Sequence, residues 1–216
     1  WVSDKTGRSF VISGEFSVNL GRETVVVADG IRFGNPDWAD KAEMVEIGHL
    51  ELRLNTWSLI RGPIEIGFVG VDDADIRLLR RTDGEPNWAL PLAKSEAASE
   101  PDVVGSAFLV REIDINAVRL VYESPERTGP LDFKVQELHQ RHRADDTLEL
   151  NLAGTLNDRE VRLQGTVGTW GALLEHKNIE YEFVGQFDTL SVSSKGLIDD
   201  LADLRRPMLE FAIKCP

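Results

Sequence analysis

The stretch SFVISGEFSVNL, residues 9–20, decides the fold class. Its even positions are apolar or glycine, whereas five of its six odd positions are polar. Side chains of a β-strand alternate between the two faces of a sheet, so this pattern predicts a strand with one apolar and one polar face. A helix would distribute the same apolar residues around its circumference.

The same alternation recurs along the rest of the chain. Asp29-Gly30, Asp83-Gly84 and Asn157-Asp158 separate the alternating segments and are typical of hairpin turns. Helical periodicity is scarce, so we predict an all-β chain: a long, curled antiparallel sheet with one or two short helices. Further alternating segments are 50–54, 64–68, 118–122, 131–135, 148–152, 161–167 and 179–183.

The second half contains an internal repeat. Gly154 and Gly165 are 11 residues apart, as are Gly185 and Gly196, and the two pairs are offset by 31 residues. A fixed offset predicts one supersecondary unit copied along an axis, in which each copy relies on its neighbour to bury its apolar face. The alternative is that two hairpins of similar length merely look alike.

Composition and motifs exclude several classes of function. The 216 residues are 42% hydrophobic and 28% charged, as in a folded protein, and the formal net charge of −13 argues against nucleic-acid binding. We find no catalytic constellation and expect neither an enzyme nor a cofactor. His139 and His142 have a spacing that could serve zinc, but no further ligand completes the set, and a solvated turn is the favoured interpretation. The acidic cluster at Asp72, Asp73 and Asp75 is interpreted as a charged loop.

Four segments of the first ninety residues resemble, in this order, the N-terminal module of AsmA-family proteins. The second half is similar to the later repeats of that family, and GLIDDLADLRRPMLEF at 196–211 is a close match. The four segments are TGRSFVISGEFSVNL with Thr6, Gly7 and Arg8; GIRFGNPDW with Asn35 and Trp38; MVEIGHLELRLNTWSLIRGPIEI with residues 59–62; and DADIRLLRRTDGEPNW with Asp83, Gly84, Asn87 and Trp88.

This resemblance implies a domain organisation and a location. Residues 1–90 would form the AsmA-like β module, 91–106 an exposed loop or linker, and 107–216 β repeat units continuing the same sheet, in an excerpt of a longer chain. The resemblance further implies the periplasm of a Gram-negative bacterium, with an inner-membrane anchor absent from this chain. The sheet would form an open apolar trough, a β-taco-like groove, that conducts phospholipid between the two membranes. Phospholipid acyl chains and envelope proteins are then the expected partners.

The lipid-binding residues are expected to be the apolar side chains that share one face. A bulge shifts the alternation by one residue, and we suspect such a shift between Leu109 and Val118. We interpret Trp38, Trp57, Trp88 and Trp170 as structural. The predicted lipid-binding set is Phe10, Ile12, Phe16, Val18, Leu50, Leu52, Leu54, Ile66, Phe68, Ile76, Leu78, Leu120, Phe133, Leu150, Leu152, Leu163, Phe183 and Phe211.

Two other functions remain open from the residues alone. A scaffold could present exposed strand edges that pair with nascent outer-membrane strands. A closed β-sandwich could use the same alternation to pack two sheets together, which would leave no apolar face for a ligand.

Overall fold

The computed structural model describes residues 2–40, 42–61, 64–89, 108–175, 177–200 and 208–214, and nearly all of its regular structure is β. Two short helices accompany thirteen strands in this part of the chain. The elements are α1 (Val2–Thr6), β1 (Phe10–Ile12), β2 (Phe16–Asn19), β3 (Glu23–Gly34), β4 (Glu43–Asn55), β5 (Ile64–Leu79), β6 (Phe108–Val110), β7 (Glu112–Glu123), β8 (Leu131–His142), β9 (Leu148–Leu156), β10 (Arg159–Val167), α2 (Trp170–Glu175), β11 (Lys177–Phe187), β12 (Leu190–Asp200) and β13 (Met208–Lys214).

All thirteen strands belong to one long sheet, which confirms the predicted fold class. The order is β1-β3-β4-β5-β7-β8-β9-β10-β11-β12-β13, with β2 also paired to β3 and β6 also paired to β5. The path begins at β1 and ends at β13 without closing into a barrel. At about 4.8 Å per strand, eleven strands in line extend over roughly 48 Å.

The sheet is mixed, so the prediction of an antiparallel sheet is wrong at one junction. Strands β5 and β7 are parallel, with Val69 opposite Ile113 and Leu79 opposite Glu123, and β6 is also parallel to β5. Parallel neighbours need a crossover much longer than a hairpin turn. The segment 91–106, predicted as an exposed loop, falls in this crossover and lies outside the described residues. The other pairings are antiparallel.

The stretch at residues 9–20 forms two short strands instead of the single strand that its alternation predicts. Phe10 of β1 lies opposite Phe33, whereas Phe16 of β2 lies opposite Ala28, so both strands pair with β3. Between them the amide of Gly14 donates to the carbonyl of Asp29 over 2.9 Å. A Cβ at Gly14 would overlap Asp29, and this close approach separates the two strands.

In five neighbouring strands, the sequence positions that face the apolar side change from even to odd, or from odd to even, at one aligned row of residues. We call this row the switch row. Gly30, Asp73 and Ala117 have φ angles of 65°, 56° and 52°. Such left-handed residues break the strict alternation of an extended strand. Contacts show the exchange directly, because Ala74 packs in one cluster with both Val71 and Ile76. The switch row is Gly30, Gly48, Asp73, Ala117 and Gln136.

The switch row confirms the suspected shift in β7 and corrects one interpretation. The shift before Val118 occurs at Ala117. The acidic cluster around Asp73, expected as a charged loop, lies inside β5. Its side chains have local partners, since Asp72 accepts from Asn116 over 2.9 Å and Asp75 accepts from Arg77 over 2.6 Å.

The repeat corresponds to two consecutive hairpins, β9–β10 and β11–β12. Gly154 and Gly185 occupy their first strands, and Gly165 and Gly196 occupy their second strands. A Cβ at Gly165 would overlap the carbonyl oxygen of Glu182, so the sheet needs glycine there. The two hairpins therefore support the interpretation of one copied unit.

Candidate lipid-binding face

One face of the sheet is apolar over most of its width. The register aligns side chains across neighbouring strands, and the resulting rows hold few polar residues. One row runs Val26, Leu52, Val69, Ile113, Gln140 and Leu150. The next row runs Ala28, Leu50, Val71, Ile115, Leu138, Leu152 and Leu163. Beyond the switch row follow Ile31, Ile47, Ala74, Val118 and Val135, and then Phe33, Val45, Ile76, Leu120, Phe133 and Leu156.

The structure brings almost all predicted lipid-binding side chains onto this apolar face. One exception is Phe68, which lies on the other face. The second is Phe211, which lies opposite Ser194 in the register of β12 and β13 but whose side chain is outside the described part. Those on the face are Phe10, Ile12, Phe16, Val18, Leu50, Leu52, Leu54, Ile66, Ile76, Leu78, Leu120, Phe133, Leu150, Leu152, Leu163 and Phe183.

Phe68 was placed on the wrong face by simple alternation. The register between β4 and β5 shifts here, with Leu54 opposite Ile66 but Arg53 opposite Phe68. Gly67 is the extra residue. The guanidinium of Arg53 lies 4.8 Å from the centroid of the Phe68 ring, a cation–π contact on the polar face. A single bulge therefore removes Phe68 from the apolar face.

Sequence reasoning missed the apolar side chains whose strands change parity at the switch row. In β3 the run of Val25, Val26, Val27 and Ala28 shows no alternation, and this hid which residues face inward. The sequence did contain a signal, because the inward apolar residues before Asp29-Gly30 are at even positions and those after it are at odd positions. The missed residues include Val26, Ala28, Ile31, Phe33, Val45, Ile47, Val69, Val71, Ile113, Ile115, Val118, Val135 and Leu138.

The opposite face is polar and carries pairs of opposite charge across neighbouring strands. Asp29 lies 2.7 Å from His49, and Asp114 lies 2.7 Å from His139. Arg119 donates to Asp132 from Nε over 3.0 Å and from Nη2 over 2.7 Å. This double hydrogen bond lowers the pKa of Asp132 from its usual value. Such a face interacts well with water.

His139 and His142 do not form the solvated turn that was expected, because both lie in β8. Their spacing places them on opposite faces of a strand. His139 contacts Asp114, whereas His142 lies 3.3 Å from Asp146. Among the described residues, no cluster of three or more His, Cys, Asp or Glu side chains could hold a metal ion.

Helix α2 covers one end of the apolar face. It connects β10 to β11, and the indole Nε1 of Trp170 donates to the carbonyl of Val110 over 2.6 Å. Val110 belongs to β6, so this bond reaches across the ends of β7, β8 and β9. Leu148 and Ile179, at the same strand ends, are each only 1% exposed. The helix thus forms a partial roof at the ends of these strands.

A buried polar network closes the opposite strand ends. Asn87 is fully buried; its Nδ2 donates to Asn35 Oδ1 and to the carbonyl of Arg77, both over 2.7 Å. Arg8 donates to the carbonyls of Asn87 and Ala89, and burial lowers the pKa of its guanidinium. Three of the segments that carry the family resemblance therefore meet here: those with Arg8, Asn35 and Asn87.

Between these two ends the apolar face has few fully buried residues. Among the residues whose burial is described, the core cluster consists of Ala74, Val118 and Val135, with half-buried neighbours from the same sheet. A protein that packs a second layer over such a face buries far more apolar side chains. The arrangement can hold hydrocarbon by dryness and shape, and such a surface should discriminate little between acyl chains.

The comparison with family models agrees with the resemblance described from the sequence. No helix within the described ranges is long and apolar enough to cross a membrane. Among curated proteins, none matches the chain. The model of the AsmA family matches residues 1–135, more than half of the chain. This family is associated with the cell envelope and with lipid-transport-related roles. On this match the chain belongs to the AsmA family.

Proposed function

We propose that this chain is a periplasmic lipid-binding segment that conducts phospholipid between the inner and outer membranes along its apolar face. In the full-length protein an anchor would hold this segment at the inner membrane, and envelope proteins would receive the lipid. The role is transport without chemical conversion of the lipid.

The observation that supports this proposal is the continuity of apolar side chains across neighbouring strands. The row Ala28, Leu50, Val71, Ile115, Leu138 and Leu152 continues from strand to strand without a polar side chain, so a hydrocarbon chain could move along it without meeting a polar barrier. Each buried CH₂ group contributes about 0.8 kcal/mol, so an acyl chain of about sixteen carbons gains on the order of 10 kcal/mol. Headgroups would remain in water at the strand ends.

The scaffold function receives less support. A strand that templates another chain must offer a long row of unpaired backbone groups. At one edge of the sheet, β1 and β2 have only three and four residues, and β13 at the other edge has seven. The closed β-sandwich also receives less support, because the described strands form one sheet instead of two.

A pair of charges on the apolar face tests the transport proposal. Leu52 and Leu150 lie in the same row, on β4 and β9. In Leu52→Glu/Leu150→Glu an uncompensated carboxylate would contact the acyl chain at each position, and we expect co-purified phospholipid to fall at least about tenfold. Organic extraction followed by mass spectrometry, normalised to protein, gives the readout.

The matched control places the same two charges on the polar face. Val11 and Val184 are exposed valines of that face, at opposite sides of the sheet, and Val11→Glu/Val184→Glu should retain wild-type lipid. Circular dichroism confirms that each variant is folded. A folded Leu52→Glu/Leu150→Glu protein that carries as much phospholipid as wild type would contradict the proposal.

A further inference from the structure

Exposed large apolar side chains are concentrated at one side of the sheet. Of the ten such residues in the described part of the chain, eight lie between residues 11 and 64. The most exposed are Leu20, Ile60 and Trp57, at 76%, 70% and 64%. Single exposed apolar residues are ordinary, but a cluster marks an interaction surface. Of the other five, Leu59 and Ile64 lie in or directly after the connection between β4 and β5, Phe16 and Val18 lie on the apolar face, and Val11 lies on the polar face.

The centre of this cluster is the described part of the connection between β4 and β5, residues 56–61, which we call the Trp57 turn. It presents Trp57, Leu59 and Ile60 to solvent, with Leu20 in the neighbouring β2–β3 connection. The two connections touch, because the amide of Thr56 donates to the carbonyl of Arg22 over 3.3 Å. Trp57, which we interpreted as structural, is thus largely exposed, and its structural role stays a prediction.

Most backbone amides of the Trp57 turn are paired. The amides of Ile60 and Arg61 both donate to the carbonyl of Trp57, over 3.1 and 3.0 Å. Asn55 Oδ1 accepts from the amide of Trp57, and Ser58 Oγ donates to the carbonyl of Asn55 and accepts from the amide of Glu65. Unsatisfied backbone groups are the main cost of entering an apolar medium. This turn can therefore enter such a medium at low cost while its apolar side chains gain.

The chemistry of the turn fits a bilayer interface better than a protein partner. Tryptophan is favoured at the boundary between headgroups and acyl chains. Arg22 and Arg61 are exposed beside the apolar side chains, where they can contact lipid phosphates. The nearby Glu65 is compensated by Arg111 at 3.7 Å. A six-residue turn, by contrast, offers neither a groove for a helix nor a strand edge for a peptide.

The turn also continues into the apolar face. Leu54 and Ile66, on the strands that flank it, lie opposite each other on that face. We infer that the Trp57 turn inserts into the interfacial region of a phospholipid bilayer and holds this end of the apolar face against the membrane. This membrane contact goes beyond the proposed transport and does not depend on lipid binding in the middle of the sheet.

Vesicle flotation tests this inference with the 216-residue chain and vesicles of phosphatidylcholine and phosphatidylglycerol at 3:1. We expect wild type to float with the vesicles and Trp57→Ser/Ile60→Ser to partition at least about tenfold less, since a loss of 1.4 kcal/mol of apolar transfer is tenfold. The control Val184→Ser removes an exposed valine far from the turn and should bind like wild type. Failure of wild type to float, or equal flotation of the double variant, would overturn the inference.

A spectroscopic readout locates the contact. Brominated lipids quench tryptophans that enter the bilayer, and this quenching should be lost in Trp57→Phe, which keeps an aromatic ring and should still float. Quenching that persists in Trp57→Phe would assign the contact to another tryptophan and overturn the inference. If wild type instead forms a dimer and does not float, and if both turn variants dissociate that dimer, the Trp57 turn contacts a second copy of the chain. This result would also overturn the inference.

The variant Leu52→Glu/Leu150→Glu distinguishes this inference from the proposed transport. It should lose co-purified lipid but still float, whereas Trp57→Ser/Ile60→Ser should stop floating but keep co-purified lipid. If the Leu52→Glu/Leu150→Glu protein also fails to float, the apolar face itself makes the membrane contact, and the inference about the turn is wrong.

Discussion

Strands β3–β8 and the hairpins β9–β12 build the same apolar face in two different ways. In the first region the apolar residues change parity at the switch row, where Asp73 and Ala117 adopt left-handed conformations. In the second region alternation continues along most of each strand, as in Leu148, Leu150 and Leu152, and glycines admit the close approach of neighbouring strands; Asn178, near the start of β11, is left-handed. A continuous face thus does not require a continuous pattern, because aligned irregularities in adjacent strands preserve the register between them.

The largest effect on stability is expected from placing a side chain at a glycine where neighbouring strands of the repeat hairpins approach closely. A Cβ at Gly165 would overlap the carbonyl oxygen of Glu182 and the ring of Phe183, and backbone cannot move away cheaply. We expect Gly165→Val to lower the free energy of unfolding by about 3 kcal/mol in urea denaturation.

The control for this substitution lies in α2. A Cβ at Gly171 meets only Thr169 Oγ1 at 3.7 Å, so Gly171→Ala should leave stability unchanged or raise it slightly through helix propensity. If Gly165→Val were as stable as wild type, glycine would not be what lets the hairpins pack.

An intermediate effect on stability is expected from replacing an alanine by glycine, and its sign should differ between the switch row and the repeat hairpins. Ala117 has a φ of 52°, where glycine is favoured, so Ala117→Gly should raise the free energy of unfolding by about 0.5–1 kcal/mol. Ala153 is an ordinary position of β9 opposite Arg162, and Ala153→Gly should lower it by about the same amount. Parallel thermal and urea melts provide the comparison. Equal signs for the two variants would remove the distinction between the switch row and regular strand.

The smallest effect concerns the charged pairs of the polar face. The hydrogen bonds from Arg119 lower the pKa of Asp132, so the ionised carboxylate stabilises the fold above its usual pKa, and this contribution disappears as pH falls through the lowered value. Asp132→Asn should therefore be slightly less stable than wild type at pH 7, and the difference should vanish once the pH falls below the lowered pKa of Asp132. Denaturation across this pH range gives the measurement.

The matched ion pair in the repeat region should make no measurable contribution to stability. Glu160 and Arg162 are 3.7 Å apart and largely exposed, a geometry that contributes little, so Glu160→Gln should not change stability at any pH. A pH-dependent loss in Glu160→Gln as large as that in Asp132→Asn would show that position on the sheet, instead of hydrogen-bond geometry, determines the contribution.

Sequence reasoning worked where alternation was unbroken and failed where a backbone irregularity intervened. Leu150, Leu152 and Leu163 were assigned to the apolar face because their strands alternate throughout. Phe68 was assigned to it wrongly because the bulge at Gly67 depends on the pairing between β4 and β5. Helix α2 was missed, since six residues beginning Trp170-Gly171 show too little periodicity to stand out.

The division of the chain into a module at 1–90 and repeat units at 107–216 stays a prediction. The sheet itself runs through both parts, because β5 pairs directly with β7. The family match also extends across the proposed boundary, to residue 135.

The amino-acid pattern alone determined that these strands have one apolar and one polar face, because period-two alternation has no other regular interpretation. It also determined the repeated hairpins, whose glycines and turn residues are local signals. Tertiary structure decided which residues share a face on the two sides of the switch row, and it decided that β5 and β7 run parallel. Both depend on hydrogen bonds between strands distant in sequence, and local preferences of the chain do not encode such pairings.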